Sequence, residues 1–179
     1  MSRSLTARLL RGTVLATMAI CALLGTGIYL AVRRTLTAEF DGGLLARAEA
    51  LQSMVEQRRD HVHFEFDPAQ MPEYASGHDT DFSQLRLDGK PFARSASLAM
   101  TSLTALPDAG GRAAFHPLTL PGGHPGRMLV LHFRADADND DIPANAHAAA
   151  TLVVARRTRG LDRTMGEVLI LLLTLCGGA

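Results

Sequence analysis

His61 and His63 are the first residues in this chain whose type and spacing could do chemistry. They belong to the alternating run His61-Val62-His63-Phe64-Glu65-Phe66. Successive side chains of a strand point to opposite faces, so His61, His63 and Glu65 form a row on one edge. Imidazoles and a carboxylate in such a row suit Zn²⁺ or Cu²⁺ where they converge. The same pattern also describes a solvated polar edge behind an apolar face of Val62, Phe64 and Phe66. A second candidate is the acidic stretch Asp136-Ala137-Asp138-Asn139-Asp140-Asp141. Its start has the alternation of a calcium loop. However, position six is Asp141 where that loop needs glycine, and position twelve is His147 where it needs glutamate, which excludes an EF-hand. A weak divalent-cation surface or an ordinary solvated loop remains. The other histidines, His78, His116, His124, His132 and His147, would titrate near neutral pH. Arg94 and Arg127, near strand ends, have the fork geometry that grips anions.

None of these groups makes a catalytic constellation, and no cofactor is expected in this chain. No glycine-rich loop precedes a helix in the manner of a nucleotide-binding loop. Both cysteines, Cys21 and Cys176, fall inside apolar runs, so the polar middle of the chain has neither thiol nor disulfide. Eighteen basic residues balance eighteen acidic ones, with no basic stripe, which argues against a nucleic-acid partner.

The elements that must position these residues are bracketed by two apolar runs. The first, residues 12–32, holds about 21 residues without a charge, enough to cross a hydrocarbon core of roughly 30 Å. The second starts at Val168 and reaches Ala179 after about a dozen residues, short of the roughly 20 that a crossing takes. The chain therefore reads as the front end of a longer membrane protein, interrupted in its second crossing. Arg3, Arg8 and Arg11 precede the first run and place the amino terminus on the cytoplasmic side. Arg33 and Arg34 oppose this orientation, and Glu39 and Asp41 follow them closely. A cleaved signal peptide fits less well, because the run is long and Ala31-Val32-Arg33-Arg34 offers no small-x-small site. A lipoprotein signal at Cys21 is excluded by the bulk of Ile20. The expected segments are a cytoplasmic tail at 1–11, a transmembrane helix at 12–32, a periplasmic domain at 33–165 and the start of a second transmembrane helix at 166–179. That makes a multi-pass membrane protein.

Within the middle segment, Leu36, Phe40, Leu44, Ala48, Leu51 and Val55 recur at helical steps and predict a helix over about 35–59 that continues the first span outward. Gly42-Gly43 is its weakest point and a candidate bend. Strands are expected at 61–66 and 82–87. Asp88-Gly89 makes the tight turn into a returning strand at 91–95. Residues 113–120 and 127–133 form a second hairpin through Pro121-Gly122-Gly123-His124-Pro125-Gly126, and 150–155 a last strand. Helix, several antiparallel strands and helix make an α+β domain with a central antiparallel sheet.

The Arg-flanked first span and the segment Phe40-Asp41-Gly42-Gly43-Leu44-Leu45-Ala46-Arg47-Ala48-Glu49-Ala50-Leu51 carry a family resemblance. So do the hairpin from Phe82 to Ser95, the strand Pro125-Gly126-Arg127-Met128-Leu129-Val130-Leu131-His132-Phe133, and the closing Thr151-Leu152-Val153-Val154-Ala155-Arg156-Arg157-Thr158-Arg159-Gly160-Leu161-Asp162. Together they resemble the amino-terminal sensor region of bacterial two-component sensor histidine kinases, over nearly the whole chain. The resemblance implies a PAS-like periplasmic domain flanked by transmembrane helices in a homodimer. It also implies an ATP-using kinase core beyond this chain that phosphorylates a response regulator. That core is absent here: no histidine sits in an acidic phospho-acceptor box, and there is no ATP lid. The alternative from another class is a membrane-tethered periplasmic binding module of a chemoreceptor or other non-kinase signalling protein. The stimulus leaves no pattern in the residues.

Overall fold

In the computed structural model the first helix, α1, runs unbroken from Arg3 to Gln52. At 1.5 Å per residue it is about 75 Å long. The structure describes residues 3–58, 61–64, 71, 74, 81–98, 101–103, 112–134, 136–137 and 149–177. Leu9, Leu15, Leu23 and Leu24 are among the apolar side chains of α1 that lie exposed, so the run is apolar all round and not one-faced. The threonine hydroxyls from Thr13 onward are satisfied within the helix. Thr13 donates to the Leu9 and Leu10 carbonyls, Thr17 to Thr13 and Thr26 to Ala22, which removes the cost of carrying them into an apolar medium. Among the described residues, α1 is the one helix long and apolar enough to cross a membrane, judged by length and composition.

The helix does not break at Gly42-Gly43, but it ends earlier than its periodicity predicts. Residues 55–58 are not helical: they form strand β1 (Val55–Arg58), antiparallel to β2 (His61–Phe64) with Val55 opposite Phe64. Val55 still reaches the core at 2% exposure, but as a strand residue. The helix formers Glu56, Gln57 and Arg58 are overruled by pairing with β2, a tertiary effect that local propensity does not carry. Strand β7 (Asp136–Ala137) joins β1 in parallel and completes a three-stranded sheet in the order β2-β1-β7. A parallel pair was not expected. It converts the start of the acidic stretch from loop to strand, while 138–148 lie outside the described residues.

The larger sheet is the expected antiparallel one. It holds β3 (Phe82–Leu87), β4 (Lys90–Arg94), β5 (Ala113–Leu120), β6 (His124–Arg134) and β8 (Ala149–Arg157), in the order β4-β3-β8-β6-β5. The Asp88-Gly89 turn has positive φ at both residues, 46° and 76°, the primed geometry whose twist matches a two-residue hairpin. Strands β6 and β8 lie inside the sheet and are buried on both faces, hence their continuous apolar stretches 128–131 and 152–155.

One face of this sheet receives Leu44, Ala48 and Leu51 of α1 against Leu85, Leu129, Leu131, Leu152 and Val154. The spacing of four and three residues is the apolar stripe read from the sequence. The opposite face, with Phe82, Met128, Val130, Val153 and Ala155, is covered by Leu98 and Leu103. Leu98 comes from a short 3-10 turn, Ala96–Leu98. The chain ends in helix α2 (Arg159–Gly177), entered directly from β8. Two compact units result. One comprises Met1–Glu39 with Gly160–Ala179, and the other is Phe40–Arg159.

Candidate functional site: a charged clamp between helix and sheet

Charged side chains bordering the apolar stripe of α1 meet charged side chains set into otherwise apolar strands. All of them lie in the Phe40–Arg159 unit. Arg127 on β6 holds Asp41 of α1 in a two-pronged ion pair, Nε to Oδ1 and Nη2 to Oδ2, the latter at 2.7 Å. Paired prongs fix direction as well as distance, and charge-assisted bonds of this type are the strong ones. The hydrogen bond to Asp41 raises the Arg127 pKa above the ordinary arginine value; burial opposes it less strongly, and the nearby negative charge adds a smaller increment. The same guanidinium lies 5.9 Å from the ring centre of Phe115, a favourable cation–π distance.

A second group sits one strand away. Asp81, just before β3, has a side chain only 5% exposed. Arg47 of α1 approaches one of its oxygens at 2.9 Å, and Arg156 of β8 the other at 3.4 Å. Arg156 also lies 6.0 Å from the ring centre of Phe40, on α1. Asp81 is held from the backbone side, where Ser97 donates to its carbonyl at 2.7 Å. Ser95 and Ser83 tie the same corner together, through Ser95 N to Ser83 O at 2.8 Å and Ser83 N to Ser95 Oγ at 3.0 Å.

The register explains why two carboxylates are present. Arg127 and Arg156 are directly opposite on β6 and β8, an arrangement of like charges that destabilises a sheet. Asp41 pairs with Arg127, and Asp81 is shared between Arg156 and Arg47. The result links α1, through Asp41, Phe40 and Arg47, to β3, β6 and β8. The last of these strands leads straight into α2. Chemically the arrangement is a lock, not a reaction centre: its carboxylates are already occupied by guanidinium groups.

The residues singled out from sequence fall elsewhere. His61 and His63 lie in β2, opposite Arg58 and Glu56, and His63 is exposed. Glu65 lies outside the described residues, as do His78 and His147. Among the described residues no group of three His, Cys, Asp or Glu side chains is placed to hold a metal ion. His132 is half-buried with its Nδ1 3.1 Å from Thr151 Oγ1, while His116 is half-buried on β5 and His124 exposed at the start of β6. Arg94 is exposed on the edge strand β4. Arg127 does grip a carboxylate, but an internal one, that of Asp41. Asp41, Arg47, Asp81 and Arg156 carry no motif. The usable signal was a charge interrupting an apolar strand, or bordering an apolar helical stripe. No family model, no curated protein and no solved structure matches this chain.

Proposed function

We propose that this chain is the signal-sensing and signal-transducing front of a bacterial two-component sensor histidine kinase. In this reading residues 12–32 cross the inner membrane, 33–165 form a PAS-like sensor domain in the periplasm, and 166–179 begin the second crossing. The working unit is a homodimer. In this reading an ATP-using kinase core follows beyond this chain and phosphorylates a separate cytoplasmic response regulator. The observation that carries the proposal is the continuity of α1: one helix contains the apolar run and, from Phe40 to Gln52, packs into the sheet. A change in the sheet is thereby felt by a rod that reaches the bilayer. Helix displacements of about 1–2 Å suffice for switches of this kind. The clamp sets how firmly residues 40–52 of α1 are held to β6 and, through Asp81, to β3 and β8.

The test is made in the protein extended past Ala179, in membrane vesicles. A reporter fused within 104–111 should be active only outside the cytoplasm, and Asp41→Asn and Asp81→Asn should each change basal autophosphorylation several-fold. Normal phosphorylation in both variants refutes the transduction role. Codons past Ala179 that encode no acidic histidine box and no ATP lid refute the kinase assignment and leave a membrane-tethered binding module.

A further inference from the structure

A cleft of about 400 Å³ lies between the Thr101–Leu103 segment and the β5–β6 hairpin, at the small end of the range typical of small-molecule sites. Its apolar part is formed by Leu118, Leu120 and Met128, and the hydroxyl-bearing residues Thr101, Ser102 and Thr119 also line it. Among the described residues no charged side chain lines it. Desolvating an ion there would go uncompensated, which selects against charged ligands.

Behind the Ser102–Leu103 wall lies Gln84, on β3 and 2% exposed. Its Oε1 accepts from Leu103 N at 2.8 Å and from Ser102 Oγ at 3.1 Å. Its Nε2 is buried and has no hydrogen-bond partner among the described residues. A buried donor left unpaired is costly, and native folds retain few of them. The far wall has its own peculiarity. A Cβ on Gly126 would come within 2.5 Å of Leu120 Cδ1 and 3.0 Å of the Arg156 carbonyl. Leu120 therefore packs directly over Gly126, a position that a side chain at 126 would contest.

We propose that this cleft binds an uncharged small molecule with an apolar body and one hydrogen-bonding oxygen, of the size of a substituted benzene. The ring rests on Leu118, Leu120 and Met128, and the oxygen meets the hydroxyl side chains among the lining residues, Thr101, Ser102 and Thr119. Gly126 is paired with Arg157, two residues before α2 begins. Pressure on Leu120 thus reaches the last rung of the β6–β8 ladder. That consequence rests on the sensor reading above, whereas the binding itself does not.

The experiment uses the full chain in detergent with labelled methionine methyl groups, titrated with benzyl alcohol, benzoate and benzylammonium. The Met128 methyl should shift saturably with benzyl alcohol, with a dissociation constant on the order of 0.1–1 mM. Benzoate and benzylammonium should bind at least about ten-fold more weakly. Met18, in the apolar run, reports uptake of the probe by the detergent. Leu118→Trp, which fills the cleft, should abolish the Met128 response. If that variant loses its fold, Thr101→Trp on the opposite, exposed wall takes its place. A Met128 shift that never saturates, that merely tracks Met18, that is equal for the charged probes, or that survives the filled cleft overturns the proposal. Saturable binding alongside unaltered phosphorylation in the clamp variants would refute only the signalling reading.

Discussion

Asp81→Asn is the sharpest probe of the clamp. The substitution keeps the shape of the side chain and one acceptor oxygen but removes the charge between Arg47 and Arg156. At an effective dielectric of about 20, each contact near 3 Å carries roughly 5 kcal/mol of Coulomb attraction. Burying the carboxylate to 5% exposure costs several kcal/mol in return. Breaking a fully buried pair costs about 3–5 kcal/mol. The two arginines are 33% and 45% exposed, so water takes over part of their solvation, and a loss of about 2–3 kcal/mol follows. For a unit of this size, at about 3–5 °C per kcal/mol, the melting temperature should fall by about 10 °C. The assay is thermal unfolding of the detergent-solubilised chain, followed by the circular dichroism of the sheet. It is run as a double-mutant cycle with Arg47→Gln. Once Asp81 is neutral, removing Arg47 should cost little, giving a coupling of about 1–2 kcal/mol. A loss within about 0.5 kcal/mol for Asp81→Asn, or strictly additive losses, refutes the clamp.

Other outcomes follow from the same geometry. The raised Arg127 pKa means that its contribution is fully present below the ordinary arginine value and lost only as pH rises through the folded-state value. The melting deficit of Arg127→Gln should therefore stay constant from about pH 7 to about pH 10, and a deficit shrinking inside that window contradicts the assignment. Gly126→Ala should destabilise by about 1–3 kcal/mol through overpacking. In a Leu120→Ala background, which removes the nearest atoms, the same change should cost markedly less in urea titrations. Gly89→Ala, at φ 76°, should cost about 1–2 kcal/mol without moving the denaturant slope. Arg163 and Glu167 form an exposed i,i+4 pair on α2. Arg163→Ala there should change stability by no more than about 0.5 kcal/mol, the scale against which the clamp variants are read.

Several elements of the fold are legible because their causes are local. A charge-free run of about 21 residues has the length and composition of a membrane-crossing helix, and α1 contains it. Asp88-Gly89 dictates a primed turn through two positive φ angles, so the β3–β4 hairpin follows from four residues. The stripe Leu44, Ala48, Leu51 names the buried face of α1 before any partner is known. The same logic fails at Val55. There the apolar period continues, but the backbone changes to strand, because the hydrogen-bonding partner β2 comes from a later stretch of chain.

The candidate site divides along the same line. Sequence alone determined the apolar run, the order of helix, hairpins and helix, and which side chains are charged. It singled out Arg127 for its anion-gripping chemistry without naming the anion. Only the tertiary structure decided that the anion is Asp41, 86 positions away, and that Asp81 stands between arginines from α1 and from the neighbouring strand β8. It also placed Asp136 in a parallel strand and left the histidine pair without a third described ligand. Periodicity and turn chemistry act over a few residues and are written in the chain. The pairing of charges across a sheet depends on register and strand order, which emerge only when distant segments pack.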